Sequence, residues 1–463
     1  MTIGQRLTEL LGEGAVSIDD DELEAHAADM SPSALLAARA DRAPDTPAAV
    51  VRPRETQEIS SLLAWAHAER VPVVPFGGGS GVVRGIEPAG AVVVDLSLMD
   101  GVIDLDERSR LVRVQAGIRG PALQGRLAER GWMLGHQPQS MAVSTVGGWI
   151  ATRASGQLSL GFGAIEDIVV ALDAVLPGGR IVRGKVAPRR STGPDLTGLL
   201  IGSEGTLGIV TEAVLRVVPP LEERNDVAFT FDHMADGVRA CRDVAQSERT
   251  PLLLRLYDAE DTLVSWRKMD EPPTGPLLIA SARDRGALET TARSAGAAGG
   301  RPASQDLVAY WWEHRNDAVD DYPSTMAGEG ILGPHPLIET MEVAATWTDL
   351  RAVYHGLKEG LAASADIVAG HLSHMYADGA CLYMTMAASC ADDQDAERRL
   401  DEWWQTGMRI ALENGASISH HHGIGRTRAP WLREELGGWY EVLAAVKRAL
   451  DPHGIMNPGV LGL

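Results

Sequence analysis

The sequence has few cysteines, and it has neither a long apolar run nor a recognisable export signal. Cys241, Cys381 and Cys390 are the full set, and their odd number and scattered positions exclude a disulfide scaffold or a zinc-ribbon spacing. No run of about 18 apolar residues indicates a membrane span. The N-terminal MTIGQRLTELLGEG lacks the basic-then-apolar layout of a signal peptide. We therefore expect a cytoplasmic protein.

Positive charge is also scarce. The 42 basic residues are outnumbered by 63 acidic ones, which gives a net charge of −21. Such a balance argues against nonspecific binding to nucleic acid or to an anionic membrane surface, although it leaves room for a local cationic pocket. With 463 residues the chain can bury a large core, and we expect two or three domains.

Glycine is abundant, and one glycine-rich loop organises the chain. The stretch Val71–Gly81 reads VPVVPFGGGSG, a short strand pattern that opens into successive glycines. Such a loop can turn sharply, and its amides can converge on an anion with no side chain in the way. It has neither the GxxxxGKS spacing of an NTPase loop nor the GxGxxG of a Rossmann turn. A flexible surface turn is the alternative, but a second small-residue loop, Ser144–Trp149, follows near Arg153–Gly156 and favours a phosphate cradle.

The chain order predicts a β-α-β unit that feeds the glycine loop, with a domain boundary much later. Ala49–Val51, a helix from Thr56 and Val71–Val74 form the unit, and Pro177–Arg180 marks a hairpin. Pro219-Pro220 is the clearest boundary. Beyond it, strand and helix patterns alternate as in an open antiparallel sheet with helices on one side.

Several motifs carry a family resemblance. GGGSG, STVGGW with TRASG, STGPD and IGSEGTLGIVTEA occur in the order found in vanillyl-alcohol-oxidase-type flavoproteins, whose FAD-binding domain is called PCMH-type. Within that family the chain most resembles the alkylglycerone-phosphate synthases. The matching stretches are GHQPQSM (Gly135–Met141), RLYD (Arg255–Asp258), YADGACLY (Tyr376–Tyr383) and SHHHGIG (Ser419–Gly425), and DPHGIMNPG (Asp451–Gly459) belongs to the wider family.

The resemblance implies an α+β fold, a PCMH-type two-subdomain FAD-binding domain with an inserted cap domain built on an antiparallel sheet. The expected divisions are an N-terminal helical segment (1–47), the FAD-binding domain (48–218), a substrate-binding cap (219–410) and a C-terminal segment that returns to the FAD domain and active site (411–463).

FAD is expected to bind noncovalently, because the only histidine near a flavin loop, His136, is not convincingly placed for a covalent bond. The implied cofactor-binding residues lie in three loops: Pro75, Gly77, Gly78, Gly79, Ser80 and Gly81; Thr145, Gly147, Gly148, Arg153, Ser155 and Gly156; and Glu204, Gly205 and Ile209.

The substrate residues implied by the resemblance are Arg255 and Arg315, with Tyr383 and the triplet His420, His421 and His422 as catalytic residues. An arginine inside the apolar strand LLLRLYD needs an anion or a carboxylate. The alternative for Arg315 is a helix-surface arginine capped by Glu313 or Asp317. The alternatives for the histidines are a solvated turn or a metal site.

Tyr383 is expected to take a proton from a substrate carbon, with an imidazole of His420–His422 or the Arg315 guanidinium either favouring its phenolate or relaying the proton. The histidines of the triplet are the other candidates for the base.

Two reactions remain open. The first is synthase-like: an acyl-glycerone phosphate exchanges its acyl group for a fatty alcohol through a flavin N5 adduct. The second is FAD-dependent oxidation of a 2-hydroxy acid or another small or lipid-like substrate. Relatives of the second kind bind a divalent metal, but Tyr383 and His421 interrupt that ligand set here, so we expect no metal. A redox-silent flavin-binding protein would be expected to lose the Tyr/His/Arg set.

The expected partners follow from the same resemblance. They are an anionic small-molecule or lipid-like substrate, a membrane surface only for substrate access, and a second copy in a homodimer. The substrate itself cannot be read from the sequence.

Overall fold

The computed structural model describes residues 2–221 and 223–463, and the chain divides into two compact units. The first unit comprises the chain up to Ser155 together with Ala164–Pro220 and His421–Leu463. The second comprises Gly156–Gly163 and Leu221–His420. The division between them therefore passes through the histidine triplet.

The division that the sequence suggested near residue 410 falls inside a helix, Asp393–Glu413. Ile410 of that helix packs against Gly356 and Gly360 of a neighbouring helix in the same unit. The second unit consequently continues to His420.

Helices occur in both units. In chain order the described helices are α1 (Ile3–Leu11), α2 (Asp20–Ala25), α3 (Pro32–Arg39), α4 (Thr56–Glu69), α5 (Gly120–Ala128), α6 (Val146–Thr152), α7 (Ser159–Phe162), α8 (Ile165–Ile168), α9 (Met234–Ala245), α10 (Ala259–Ser265), α11 (Arg285–Ala297), α12 (Asp306–His314), α13 (Asp317–Asp320), α14 (Tyr322–Met326), α15 (Leu350–Leu361), α16 (Asp393–Glu413), α17 (Ala429–Leu436) and α18 (Gly438–Leu450). None of the helices in the described residues is both long enough and apolar enough to cross a membrane.

The strands belong to separate sheets in the two units. In chain order the described strands are β1 (Val16–Ser17), β2 (Ala49–Val51), β3 (Val73–Phe76), β4 (Val92–Asp95), β5 (Val102–Asp106), β6 (Leu111–Gln115), β7 (Val169–Val175), β8 (Ile181–Arg183), β9 (Ile209–Arg216), β10 (Asn225–Thr230), β11 (Leu253–Tyr257), β12 (Leu277–Ala282), β13 (Arg301–Ala303), β14 (Pro336–Thr346), β15 (Ile367–Met375) and β16 (Gly379–Ser389).

The first unit holds two sheets within the described residues. One has the order β1-β2-β4-β3, in which β2, β4 and β3 run parallel. The predicted β-α-β unit is confirmed as β2-α4-β3, and its valine-rich strands are buried as parallel strands usually are. The glycine loop begins at the carboxyl end of β3.

The other sheet of the first unit is antiparallel, with the order β5-β6-β9-β7-β8. Its β7-β8 turn is the predicted hairpin: the Leu176 amide donates to the Arg180 carbonyl at 2.9 Å, and Gly178 and Gly179 have positive φ. A continuous apolar core packs the two sheets and α4, α5 and α6 together. The loops that leave these sheets are therefore held on a rigid scaffold.

The second unit is built on a seven-stranded antiparallel sheet, counted over the described residues, with the order β13-β10-β12-β11-β15-β16-β14. Leu256 of β11 packs against Gly237 of α9, whereas Arg255 of the same strand lies over Trp311 of α12. Successive residues of a strand point to opposite faces, so helices cover both faces of this sheet. The expectation of helices on one side only was wrong. The protein is nevertheless α+β, as predicted.

One row of side chains crosses this sheet on the α12 face. Tyr257 of β11 is paired with His371 of β15, His371 with Tyr383 of β16, and Tyr383 with Glu342 of β14. Residues directly opposite one another in an antiparallel pair share a face and lie within contact distance. Arg255, two residues before Tyr257, lies on the same face.

Candidate active site

The glycine loop packs against the second small-residue loop of the first unit with almost no space between them. A Cβ atom added to Gly77 would lie 2.5 Å from Thr145 Oγ1, and one added to Gly78 would lie 2.2 Å from the Val143 carbonyl oxygen. Gly79 has a φ of +67°, which favours glycine. Only glycine fits this path, so the loop presents backbone rather than side chains.

The second loop uses its polar groups internally. Thr145 caps α6, with Oγ1 accepting from the Gly148 amide at 3.2 Å. The Gly147 amide donates to the Ala116 carbonyl at 2.7 Å. Gly147 and Gly148 therefore shape the cradle by allowing close approach, and their amides already have protein partners.

The predicted cofactor-binding residues that follow α6, Arg153, Ser155 and Gly156, have different surroundings. Arg153 ends the helix with a left-handed backbone, and its guanidinium, largely exposed, contacts Glu166 at 3.2 Å. Ser155 is buried in the first unit, whereas Gly156 begins the short stretch that belongs to the second.

Glu204-Gly205 forms the third part of the cradle. Both residues have positive φ, and a Cβ atom at Gly205 would lie 2.8 Å from the Pro75 side chain. Ile209 follows as the buried first residue of β9. Pro75, Gly77, Thr145 and Gly205 thus meet in one place.

The Glu204 carboxylate holds the turn that follows the histidine triplet. It accepts from the Ile424 amide at 2.7 Å and from the Gly425 amide at 2.8 Å. Its backbone is fixed as well, because Asn457 Nδ2 donates to its carbonyl at 2.7 Å. Burial raises the pKa of Glu204 to about 7. The side chain therefore supports this turn.

Two further histidine environments belong to the first unit. The rings of His421 and His422 lie 4.7 Å apart in an edge-on arrangement.

His136 is fully buried against Trp149, and this burial lowers the pKa of His136 to about 3. Both of its ring nitrogens lack a hydrogen-bond partner among the described residues. A neutral, enclosed imidazole fits the expectation of noncovalent flavin binding.

In the second unit, the Arg255 side chain extends from the apolar strand β11 and is surrounded by aromatic side chains. Its guanidinium lies 5.4 Å from the ring centres of Tyr257 and Trp311. Its NH2 lies 2.6 Å from His371 Nε2. Its Nε is buried and has no hydrogen-bond partner among the described residues. This cation still has a donor to offer to an anion.

His371 connects Arg255 with the rest of the row. Its Nδ1 lies 2.7 Å from Asp261 Oδ2, and its ring stacks on Tyr383 with 4.8 Å between centres and 17° between planes. Burial, with the Arg255 charge as a smaller cause, lowers the pKa of His371. The imidazole is therefore neutral at pH 7.

Tyr383 is less acidic than a free tyrosine. Burial and the nearby Glu342 carboxylate raise the pKa of Tyr383, and the opposing effect of Arg255 is smaller. The expectation that neighbours favour the phenolate was therefore wrong. Because the hydroxyl keeps its proton at neutral pH, it can donate a hydrogen bond but cannot act as a resting base.

His420 is positioned by the same sheet. The buried Glu342 carboxylate accepts from the Ser419 hydroxyl at 3.0 Å and from the His420 amide. The His420 ring stacks on His374 at 5.0 Å, and its Nε2 lies 2.8 Å from the Tyr376 hydroxyl. Burial lowers the pKa of His420, so its imidazole is neutral and can accept a proton.

Arg315 follows α12, where the alternative to substrate binding was a cap by Glu313 or Asp317. Its Nε donates to Gln157 Oε1 at 2.9 Å, and its guanidinium lies over the Trp312 ring at 4.8 Å. Asp317 contacts His314 at 2.9 Å instead. Burial, followed by the charge of Arg224, lowers the pKa of Arg315.

Sequence reasoning missed several residues of this site. Glu342 and Gln157 contact the predicted residues His420 and Arg315, and Asp261 contacts His371, only through tertiary packing, and no local motif identifies them. An acidic residue in the middle of a strand, such as Glu342, was the one available signal, because buried carboxylates need partners.

Comparisons with known proteins identify the family of this chain. A family model described as FAD binding domain matches residues 47–185, and one described as FAD linked oxidases, C-terminal domain, matches residues 221–461. The protein belongs to the FAD-linked oxidases. The expected fold and cofactor are confirmed: it is a PCMH-type α+β flavoprotein, and its cofactor is FAD. The glycine path that excludes any Cβ atom fits a dinucleotide that is held by backbone groups.

Individual relatives differ in their reactions. An Escherichia coli K12 protein, uncharacterized FAD-linked oxidoreductase YgcU, is 31% identical over 432 residues, covering 90% of this chain and 89% of its own. Alkyldihydroxyacetonephosphate synthase of Dictyostelium discoideum is 29% identical over 472 residues, covering 92% and 74%. Glycolate oxidase subunit GlcD of Bacillus subtilis is 29% identical over 426 residues, covering 89% and 88%.

Solved structures place the fold in the same group. A crystal structure of alkyldihydroxyacetonephosphate synthase superposes with a TM-score of 0.78 at 25% identity, covering 98% of this chain and 84% of that one. Substrate-bound p-cresol methylhydroxylase gives 0.77 at 17% identity, covering 99% and 96%, a likeness of fold alone.

Proposed function

We propose that this FAD-linked enzyme exchanges the acyl group of an acyl-glycerone phosphate for a fatty alcohol. The observation that carries the proposal is Arg255, a cation in an aromatic wall near Tyr383 whose buried Nε has no hydrogen-bond partner in the part of the chain that the structure describes. A phosphate offers the acceptor oxygens that such a guanidinium needs. The similarity to alkyldihydroxyacetonephosphate synthases supports the same substrate class.

The proton-transfer roles follow from the protonation states. Neutral His420 accepts the proton that leaves the substrate carbon and returns it to that carbon after the exchange. The Tyr383 hydroxyl donates its proton to the departing fatty acid and regains one from the incoming alcohol as the new ether bond forms. Arg255 and Arg315 bind the anionic end of the substrate. Bound FAD supplies an electrophilic ring system, and the overall exchange leaves no net electrons on it.

The absence of a metal requirement is part of the proposal. Tyr383 stands where metal-dependent relatives are expected to have a histidine. Both ring nitrogens of His371 already have protein partners, Asp261 and Arg255. His371 is therefore not available as a metal ligand without breaking these two hydrogen bonds.

Oxidation of a 2-hydroxy acid is the second candidate, because Arg255 can also bind a carboxylate and the glycolate oxidase subunit is a relative of similar identity. The deciding experiment mixes the FAD-loaded protein without oxygen with palmitoyl-glycerone phosphate and hexadecanol, or with glycolate and D-lactate. The proposal predicts alkyl-glycerone phosphate and palmitate by mass spectrometry, with the flavin oxidised at the end of the reaction. Lasting bleaching of the flavin by a hydroxy acid, with no ether product, would establish the second candidate instead.

A further inference from the structure

We propose that Asp261 and His371 are a positioning pair that fixes the orientation of the Arg255 guanidinium. The proposal rests on the proposed function only in treating Arg255 as the group that binds the anionic end of the substrate. Sequence similarity assigned no role to either residue.

The chemistry of the three groups determines which of them donates and which accepts in the hydrogen bonds between Arg255, His371 and Asp261. A guanidinium can only donate, so His371 Nε2 must accept from Arg255 NH2 at 2.6 Å. The proton of the neutral ring is then on Nδ1, where it is donated to Asp261 Oδ2 at 2.7 Å. Each group has a single possible role, and the tautomer of His371 is set at both ends.

Asp261 is itself anchored. Its amide donates to Asp258 Oδ1 at 2.8 Å at the start of α10, and its Oδ1 accepts from the Ser265 hydroxyl at 2.7 Å. The opposite face of the arrangement is closed by Tyr383, whose ring stacks on His371. The His371 ring therefore cannot rotate freely. Because Asp261 of α10 fixes the ring, the ring in turn fixes the position of the Arg255 guanidinium.

Holding the Arg255 guanidinium in one orientation favours binding of the substrate anion. An arginine side chain loses considerable rotamer freedom when it grips a ligand, and prior orientation reduces that loss. Arg255 NH2 is used by His371, whereas Nε has no hydrogen-bond partner among the described residues and can donate to an anion. The pair thus selects which edge of the guanidinium faces the substrate.

Two amide substitutions of His371 separate this role from simple packing. In His371→Gln, Oε1 can replace Nε2 and still accept from Arg255. In His371→Asn, Nδ2 can replace Nδ1 and donate to Asp261, but nothing reaches Arg255. We expect His371→Gln to keep KM within about threefold, and His371→Asn to raise it about ten- to a hundredfold, the range for a lost hydrogen bond to a charged group. Turnover should change little in either variant, and exposed His355→Gln is the matched control.

A double-variant cycle tests whether His371 acts through Arg255. If it does, Arg255→Lys combined with His371→Asn should raise KM no more than Arg255→Lys alone. If the KM increases of the two single variants multiply in the double variant, His371 contacts the substrate independently of Arg255. If His371→Gln and His371→Asn raise KM equally, His371 contributes only packing. Either result overturns the proposal.

A spectroscopic measurement tests the hydrogen bonds of Asp261 and His371 even if the proposed substrate is not turned over. In the FAD-loaded protein labelled with ¹⁵N-histidine, the signal that His371→Gln removes should report a neutral ring protonated on Nδ1. Asp261→Asn should disturb that signal, whereas exposed Asp401→Asn should not. A ring protonated on Nε2 would contradict the proposal, because that nitrogen could not accept from Arg255. Failure of the proposed function would instead appear as absence of ether product with the tautomer intact.

Discussion

Replacing Glu204 by glutamine should change how the stability of this protein depends on pH. The carboxyl group is buried, and its pKa is raised from 4.5 to about 7 in the folded protein. An acid whose pKa is raised by folding contributes stability below its ordinary pKa and loses that contribution as pH rises through the folded value. At about 1.4 kcal/mol per pKa unit, the loss between pH 4.5 and pH 8 is about 3 kcal/mol.

Glutamine keeps the size of the side chain but does not titrate. The difference in unfolding free energy between the wild type and Glu204→Gln should therefore shift by about 3 kcal/mol against the wild type between pH 4.5 and pH 8. Denaturant unfolding of both proteins across this range measures the shift, because other titrating groups largely cancel in the comparison.

Exposed Glu248→Gln is the control and should show no such shift. A difference between wild type and Glu204→Gln that stays constant with pH would refute the reasoning. It would mean that the amides of Ile424 and Gly425 keep the Glu204 carboxylate ionised despite its burial.

Three further predictions concern the cofactor and the reaction. The purified protein should be yellow, with one FAD per chain that acid or heat releases, and Gly78→Ala should lower FAD content because its Cβ would meet the Val143 carbonyl, whereas Gly296→Ala, with open space around it, should not. A flavin that survives denaturation would contradict noncovalent binding. Tyr383→Phe should keep FAD content and stability while turnover falls by roughly 10²–10⁴-fold, as for general acid–base groups, and near-normal turnover would reduce Tyr383 to a cavity wall. Exhaustive chelation should leave turnover unchanged, and activity restored by zinc or manganese after chelation would show that His421 and its neighbours bind metal.

The resemblance of the sequence motifs predicted the cofactor and the fold class, and local patterns in the sequence predicted the β-α-β unit, the glycine loop and the hairpin. The latter three features depend on local patterns: a valine-rich strand that runs directly into glycines, and a hairpin turn whose glycines need positive φ. Glycine adopts positive φ without strain, wherever the rest of the chain lies. The Pro219-Pro220 break is local in the same sense, and the second unit resumes at Leu221.

Only the tertiary structure decided the electrostatics and the partners of the site. Tyr383 keeps its proton because the fold buries it and because β14 places the Glu342 carboxylate opposite it, a neighbour 41 residues away in the chain. Asp261, His371 and Arg255 come from three separate elements, and strand register brings them together. The sequence names the groups that can carry charge, but burial and long-range neighbours set their pKa values and hydrogen-bond directions, and both arise only when the chain has folded.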